Sequence, residues 1–114
     1  MSDNIRILLE TSDRLNNKTI SLTRCLILTL LSYFVDGIQY RELKAALRIS
    51  DGKLISNLNQ LRKMGYIQKS AVKLEHKKLD VYLLTAEGRK ELEKIIKWTD
   101  LIKKVAQVSD ENAK

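Results

Sequence analysis

The chain has 114 residues, of which 44% are hydrophobic and 31% charged, with a net charge of +7 and an isoelectric point of about 9.6. This balance predicts one folded domain, residues 1–114, and excludes a disordered chain. The single cysteine, Cys25, excludes an intramolecular disulfide, and one cysteine with one histidine, His76, are too few ligands for a structural zinc site.

The first ten residues lack the apolar core of a signal peptide, since they include Asp3, Arg6 and Glu10. The longest apolar run is too short and too interrupted to cross a bilayer. The chain also has no glycine-rich phosphate loop and too few groups for acid–base or nucleophilic chemistry. We therefore expect a cytoplasmic protein without a cofactor, and not an enzyme.

The first helix is predicted to begin at a cap provided by Ser2 or Asp3 and to end at Asn16-Asn17. Its apolar residues at approximate helical spacing are Ile5, Leu8, Leu9 and Leu15. This face packs either inside the domain or against a second chain.

The second helix is predicted to start at Ser21 or Thr19 and to run to about Phe34. It is apolar over much of its circumference, which is typical of a central core helix. Cys25 lies among these aliphatic residues, and this favours a small buried hydrophobe over a redox-active thiol.

A helix-turn-helix is predicted next. Asp36-Gly37 is a turn signal, and Ile38-Gln39 indicates a short extended segment. YRELKAAL, residues 40–47, predicts a two-turn helix, and a turn of about four residues follows it. Ser50 or Asp51 then caps the next helix, which Gly65 ends.

This next helix has two different faces. Leu54, Leu58, Leu61 and Gly65 form one narrow apolar stripe at i, i+4, i+7 and i+11. The opposite face has no carboxylate and carries Gly52, Lys53, Ser56, Asn59, Gln60 and Lys63, with Asn57 on its flank. Such a face suits phosphates and base edges. Ile55, also on the flank, predicts either packing toward the following strands or a protein contact.

Two β-prone segments, Tyr66–Lys69 and Leu79–Leu84, follow this helix and are joined by a lysine-rich loop, residues 70–78. This arrangement predicts a two-stranded wing. Lys73, Lys77 and Lys78 are predicted to contact phosphates, and His76 to be an exposed loop residue.

The positive charge is concentrated in one segment. Residues 39–80 hold ten basic and four acidic residues, whereas the remainder holds eleven basic and ten acidic residues. A localised basic segment is the electrostatic pattern of nucleic-acid binding.

Thr85 is predicted to cap a last helix, residues 86–108. Its apolar stripe is longer than one small domain covers, which suggests a contact with a second copy. The residues predicted for dimerisation, with Trp98 equally suited to the core, are Ile5, Leu8, Leu9, Leu92, Ile95, Ile96, Trp98, Ile102 and Val105.

Several short stretches together resemble the small winged-helix transcriptional regulators related to the MarR and ArsR groups, over roughly residues 21–96. These are DGKL at 51–54, Leu58, Leu61, MGYI at 64–67 and LTAEGR at 84–89. The resemblance implies a winged helix-turn-helix that dimerises through its terminal helices and binds operator-like duplex DNA. The wing lacks the Arg-Gly or Arg-Pro of many relatives, and the cysteine-rich metal motif is absent, so metal sensing does not carry over.

The expected fold is therefore α+β and mostly α, with a helix-turn-helix core and wing at residues 21–85 and extended terminal helices at 1–17 and 86–108. The expected function is a homodimeric, sequence-specific regulator on double-stranded DNA. The predicted DNA-binding residues are Ser50, Gly52, Lys53, Ser56, Asn57, Asn59, Gln60, Lys63, Lys73, Lys77 and Lys78. The alternative is a winged-helix module that binds proteins in a transcription or replication assembly.

Overall fold

The computed structural model describes residues 3–16 and 21–113. In these ranges the helices are α1 (Asp3–Ser12), α2 (Leu22–Tyr33), α3 (Tyr40–Leu47), α4 (Asp51–Lys63) and α5 (Ala86–Ala113), and the strands are β1 (Ile38–Gln39), β2 (Ile67–Leu74) and β3 (Lys77–Leu84). The predicted fold class is confirmed: the chain is mostly helical, with a helix-turn-helix at α3–α4 and a wing at β2–β3. No helix within the described ranges is long and apolar enough to span a membrane.

The core forms where α2, α3 and α4 meet. Its fully buried side chains are Ile27, Leu28, Leu31, Leu43, Leu54, Leu58 and Leu61. The predicted apolar stripe of α4 is therefore confirmed, since its three leucines all point into this core. Burial of one such leucine stabilises the fold by roughly 1.5–3 kcal/mol.

The first helix is shorter than predicted. It ends at Ser12, where the backbone N–H groups of Arg14 and Leu15 donate to the carbonyls three residues back, at 3.0 and 3.2 Å, and the i→i−4 pattern stops. Leu15 is buried beyond the helix end. Asn17, predicted as part of the helix stop, lies outside the described residues, as do Ser2 and Thr19, the alternative caps of α1 and α2.

Ser21 caps α2, since its hydroxyl accepts a hydrogen bond from the backbone N–H of Arg24 at 3.2 Å. Only one side of α2 is covered, and Leu22 and Leu26 on its other side are exposed. Cys25 packs against the core, and burial raises the pKa of its thiol. A raised pKa disfavours the thiolate, which agrees with a structural role.

The sheet has three antiparallel strands in the order β1-β3-β2. The short extended segment at Ile38–Gln39 is confirmed, and its pairing with Tyr82 and Val81 at the base of the wing was not predicted. Gly37 precedes β1 at φ +100, where an added Cβ would lie 2.9 Å from the Val81 side chain. A glycine is thus needed for this close approach.

The beginning of α5 is fixed to the end of α4. The Thr85 hydroxyl accepts from the N–H of Gly88 at 3.0 Å and donates to the carbonyl of Gly65 at 2.6 Å. The Thr85 N–H donates to the carbonyl of Tyr66 at 3.1 Å. A Cβ on Gly88 would collide with that same carbonyl, so α5 approaches this backbone as closely as only glycine permits.

The terminal helices α1 and α5 pack against each other, and the indole N–H of Trp98 donates to the carbonyl of Leu8 at 3.2 Å. Leu92 and Ile95 are each 7% exposed within the chain's own core. Their side chains therefore leave almost no surface for a partner. Trp98 is partly buried and packs against the core.

A partly buried polar network connects segments that are distant in the chain. The Glu91 carboxylate is 4% exposed and accepts from the N–H of Asn16 at 3.0 Å. The Asn16 amide donates to the Tyr66 hydroxyl at 3.2 Å and to the Met64 sulfur at 3.4 Å. The segment after α1, helix α5 and the end of α4 therefore share one set of hydrogen bonds.

Candidate nucleic-acid interface

The reading face is the exposed side of α4. Ser50 begins this helix, since its hydroxyl accepts from the N–H of Lys53 at 3.2 Å and its carbonyl from Leu54 at 3.0 Å. The leucine stripe then directs the opposite side outward. The residues predicted for DNA binding that are exposed on this helix are Gly52, Lys53, Ser56, Asn59, Gln60 and Lys63.

These exposed groups are available for an external ligand. Among the described residues, no carboxylate lies within ion-pair distance of Lys53 or Lys63. The side chains of Ser56, Asn59 and Gln60 make no hydrogen bond inside the described parts of the chain. Such a face has donors and acceptors for base edges and positive charge for phosphates.

Asn57 differs from its neighbours. Its amide oxygen accepts from the Arg24 guanidinium at 2.8 Å, and its amide nitrogen donates to the Lys53 carbonyl at 2.8 Å. Both ends of the amide are thus used within the chain, so the structure does not present it for the predicted base contact. Arg24 was missed by the sequence analysis, because it lies 33 residues away with no local signal.

The two helices of the helix-turn-helix are clamped through Asp51. The Tyr40 hydroxyl donates to this carboxylate at 2.6 Å, and the Lys44 ammonium lies 2.9 Å from its other oxygen. These two hydrogen bonds lower the pKa of Asp51 below its ordinary value of 3.8. The hydrogen bond to Asp51 also raises the pKa of Tyr40 to about 12. The only acid on α4 is therefore held against α3, away from the reading face.

The wing is longer than predicted. The segment expected to be a loop, residues 70–78, forms strand on both sides of a two-residue turn at Glu75-His76. No glycine marks this turn, and Glu75 adopts φ +57 instead. The ladder continues to Leu74 and Lys77, which are opposite each other.

The three predicted wing lysines are therefore strand residues, and all three are exposed. Lys73 and Lys78 are direct cross-strand partners, so they share one face of the hairpin, while Lys77 lies on the other face. Like charges directly opposite each other repel. An anion between them would relieve this repulsion.

A groove of about 370 Å³ separates α4 from the wing. Ile55 lies in it with Tyr40 and Tyr82, and is 47% exposed. Of the two predictions for Ile55, the structure supports the first, since the residue faces the wing. Within the described ranges, no three His, Cys, Asp or Glu side chains lie close enough together to hold a metal ion.

Of the residues predicted for dimerisation, the exposed ones are Leu9, Ile96 and Ile102, at 56%, 49% and 40%. Ile5, Leu8 and Val105 are partly buried. The exposed set lies on α1 and α5, at some distance in sequence from the reading face.

This fold, with a basic hairpin beside a carboxylate-free helix face, defines a winged helix-turn-helix protein of the DNA-binding class. Residues 23–102 match the family model described as a winged helix DNA-binding domain. The chain belongs to this family, which confirms the resemblance found in the sequence. Among curated proteins, no sequence is similar enough to count as a relative.

Solved structures share the fold at low identity. The MepR–DNA complex of S. aureus superposes with a TM-score of 0.69 at 19% identity, over 96% of this chain and 83% of that one. YusO from Bacillus subtilis gives 0.65 at 13%, over 96% and 82%. SP03579, a MarR family transcription regulator, gives 0.64 at 21%, over 93% and 66%. The chain therefore has the fold of MarR-type regulators.

Proposed function

We propose that this protein is a homodimeric transcriptional regulator that binds specific sequences of double-stranded DNA. Helix α4 enters the major groove, and the wing lies on the phosphate backbone. The observation that carries the proposal is the juxtaposition of the polar face of α4 with an exposed basic hairpin. Both belong to the segment that holds nearly all of the net positive charge. The DNA bound by MepR, a protein of the same fold, supports duplex DNA as the ligand.

Separate groups supply specificity and affinity. Asn59 and Gln60 are exposed amides on the reading face, and such amides pair bidentately with adenine in the major groove. Ser56 accepts or donates a hydrogen bond to either base type. The exposed cations neutralise phosphates, and these are Lys53, Arg62, Lys63, Lys73, Lys77 and Lys78.

Dimerisation uses the exposed apolar residues of the terminal helices, Leu9, Ile96 and Ile102. A two-fold dimer presents two copies of α4, and their separation must match one turn of DNA, about 34 Å. Two weak half-site contacts then combine into one strong complex.

The DNA-binding part is tested with purified protein and a pool of random duplexes, at about 50 and about 200 mM salt. The wild type is expected to bind, and more tightly at the lower salt. Lys53→Glu combined with Lys63→Glu should abolish binding. Lys97→Glu combined with Lys104→Glu, at two exposed lysines of α5, carries the same charge change as a matched control and should retain it. Absence of wild-type binding at low salt would refute the proposal.

The dimer is tested separately by light scattering, which should give twice the chain mass of 13.1 kDa. Ile102→Asp should shift the mass to that of one chain, because a charge in an apolar contact is strongly unfavourable. A single-chain mass for the wild type at every concentration would contradict the homodimer while leaving DNA binding untouched.

A further inference from the structure

The groove between α4 and the wing contains charges of both signs. It is called the helix–wing groove here, and its lining residues are Tyr40, Ile55, Asn59, Arg62, Lys69, Asp80 and Tyr82. Arg62 comes from α4 and Lys69 from β2, so the two walls each supply one cation. Asp80, from β3, is the one acid in this lining.

The Lys69 ammonium is held over the groove by two neighbours. It lies 3.6 Å from the Asp80 carboxylate and 6.0 Å from the centre of the Tyr82 ring. The ion pair stays open to solvent, since its side chains are 38% and 61% exposed. Arg62 has no carboxylate within ion-pair distance in the described part of the chain. The groove thus offers one free cation and one that is loosely paired.

The shape of duplex DNA determines what meets this groove. A major groove is about 12 Å wide, which leaves little room beside an inserted helix. A hairpin that rises next to that helix therefore meets one of the two groove walls. Each wall is a phosphodiester backbone, with anionic phosphates and apolar sugar faces. The helix–wing groove has a cation on each wall and Ile55 on the same helix face as Arg62, which complements such a strand.

We infer that the helix–wing groove is a binding site for one phosphodiester strand, in which Arg62 and Lys69 bind phosphate and Ile55 contacts deoxyribose. This inference rests on the proposed function, because it requires α4 to lie in the major groove. It also explains why a half-exposed isoleucine occupies the flank of a polar helix.

Asp80 is expected to weaken phosphate binding at this site. Its carboxylate pairs with Lys69 in the free protein, and it repels a phosphate that approaches the same ammonium. Asp80→Asn keeps the size of the side chain and removes its charge. Affinity for DNA should therefore rise, by roughly two- to fivefold, as for other exposed charge pairs.

The test measures the affinity and its salt slope for a duplex that the wild type selects from a random pool. Lys69→Gln and Arg62→Gln should each lower the slope by about 0.9 and the affinity roughly eightfold at 0.1 M salt, as for one lost phosphate contact. Lys104→Gln carries the same charge change on α5 and should change neither. Thermal unfolding of all variants checks that each is folded.

A methylphosphonate scan of that duplex locates the contact. Neutralising one backbone position should weaken wild-type binding, and the same substitution should have a clearly smaller effect on the Lys69→Gln variant. If Lys69→Gln and Arg62→Gln bind like Lys104→Gln, the inference is wrong although the DNA-binding proposal stands. If the wild type selects no duplex at all, the proposed function itself fails.

Discussion

Helix α4 and the outer wing, residues 71–78, both expose cations to solvent, yet they are held in opposite ways. Leu54, Leu58 and Leu61 fix α4 in the core, and Ser50 and the Asp51 clamp fix its beginning. Every residue of the outer wing is exposed, and only the ladder between its two strands holds it. The core therefore sets the position of the reading helix, whereas the reach of the wing depends on cross-strand pairing.

The largest expected effect tests the first half of this comparison. Leu58→Ala removes a fully buried side chain and should lower the free energy of unfolding by about 2–5 kcal/mol, measured by urea titration. Leu74→Ala in the outer wing, where the side chain is 60% exposed, should change it by no more than about 0.5 kcal/mol. Equal losses of unfolding free energy in the two variants would mean that the outer wing packs as part of the core.

The second half of the comparison is tested through the charge of the outer wing, which is expected to affect DNA binding but not folding. Replacing Lys73, Lys77 and Lys78 together by Gln should lower the salt slope of DNA binding by about 2.7, at about 0.9 per phosphate contact. The free energy of unfolding should not fall, because the substitution removes the repulsion between Lys73 and Lys78. A fall in stability with an unchanged slope would show that these lysines act structurally.

The stability contributed by the Asp51 contacts at the beginning of α4 should depend on pH. Since the folded-state pKa of Asp51 lies below its ordinary value of 3.8, its contribution to stability is present above that value. It is lost as pH falls through the folded-state pKa. The difference in melting temperature between wild type and Asp51→Asn should therefore be positive at pH 7 and should shrink below about pH 4. Tyr40→Phe removes the main hydrogen bond and should show a weaker version of the same trend.

The smallest effects are expected at two residues whose backbone lies in the left-handed region. One precedes helix α4, and the other forms the turn of the outer wing. Arg48 ends α3 at φ +55, and Glu75 forms the wing turn at φ +57. Arg48→Gly should raise the free energy of unfolding by about 0.5–1 kcal/mol. Glu75→Gly should instead slow hydrogen exchange at the wing amides alone. A global gain from Glu75→Gly would contradict the local character of the outer wing.

The elements that could be predicted from the sequence are those with a local cause. Residues 40–47 were predicted and found as one helix, because two leucines at i,i+4 and flanking turn residues define it. The start of α4 at Ser50 follows from a capping side chain three residues before its hydrogen-bond donor. The reading face is then the side of α4 opposite the buried leucine stripe.

What could not be predicted depends on partners distant in the chain. The sequence predicts that Asn57 contacts bases, but in the structure its amide oxygen accepts a hydrogen bond from Arg24. Ile95 and Ile96 are neighbours in one apolar stripe, yet the first is 7% and the second 49% exposed. Only the packing of α5 on the rest of the chain decides between them. The wing turn was missed because Glu75 stands where glycine is usual.

Because α5 is long and is held closely at Gly88, a small tilt at this junction moves its far end by a large distance. This helix starts against the carbonyl of Tyr66, just after the reading helix, and its 28 residues extend for about 42 Å. A tilt of about 5° at the junction displaces the far end by roughly 3.7 Å, which is close to the 3.4 Å rise of one base pair. In the proposed dimer, a small change of tilt at this one glycine would therefore move the far end of α5 by about one base-pair step.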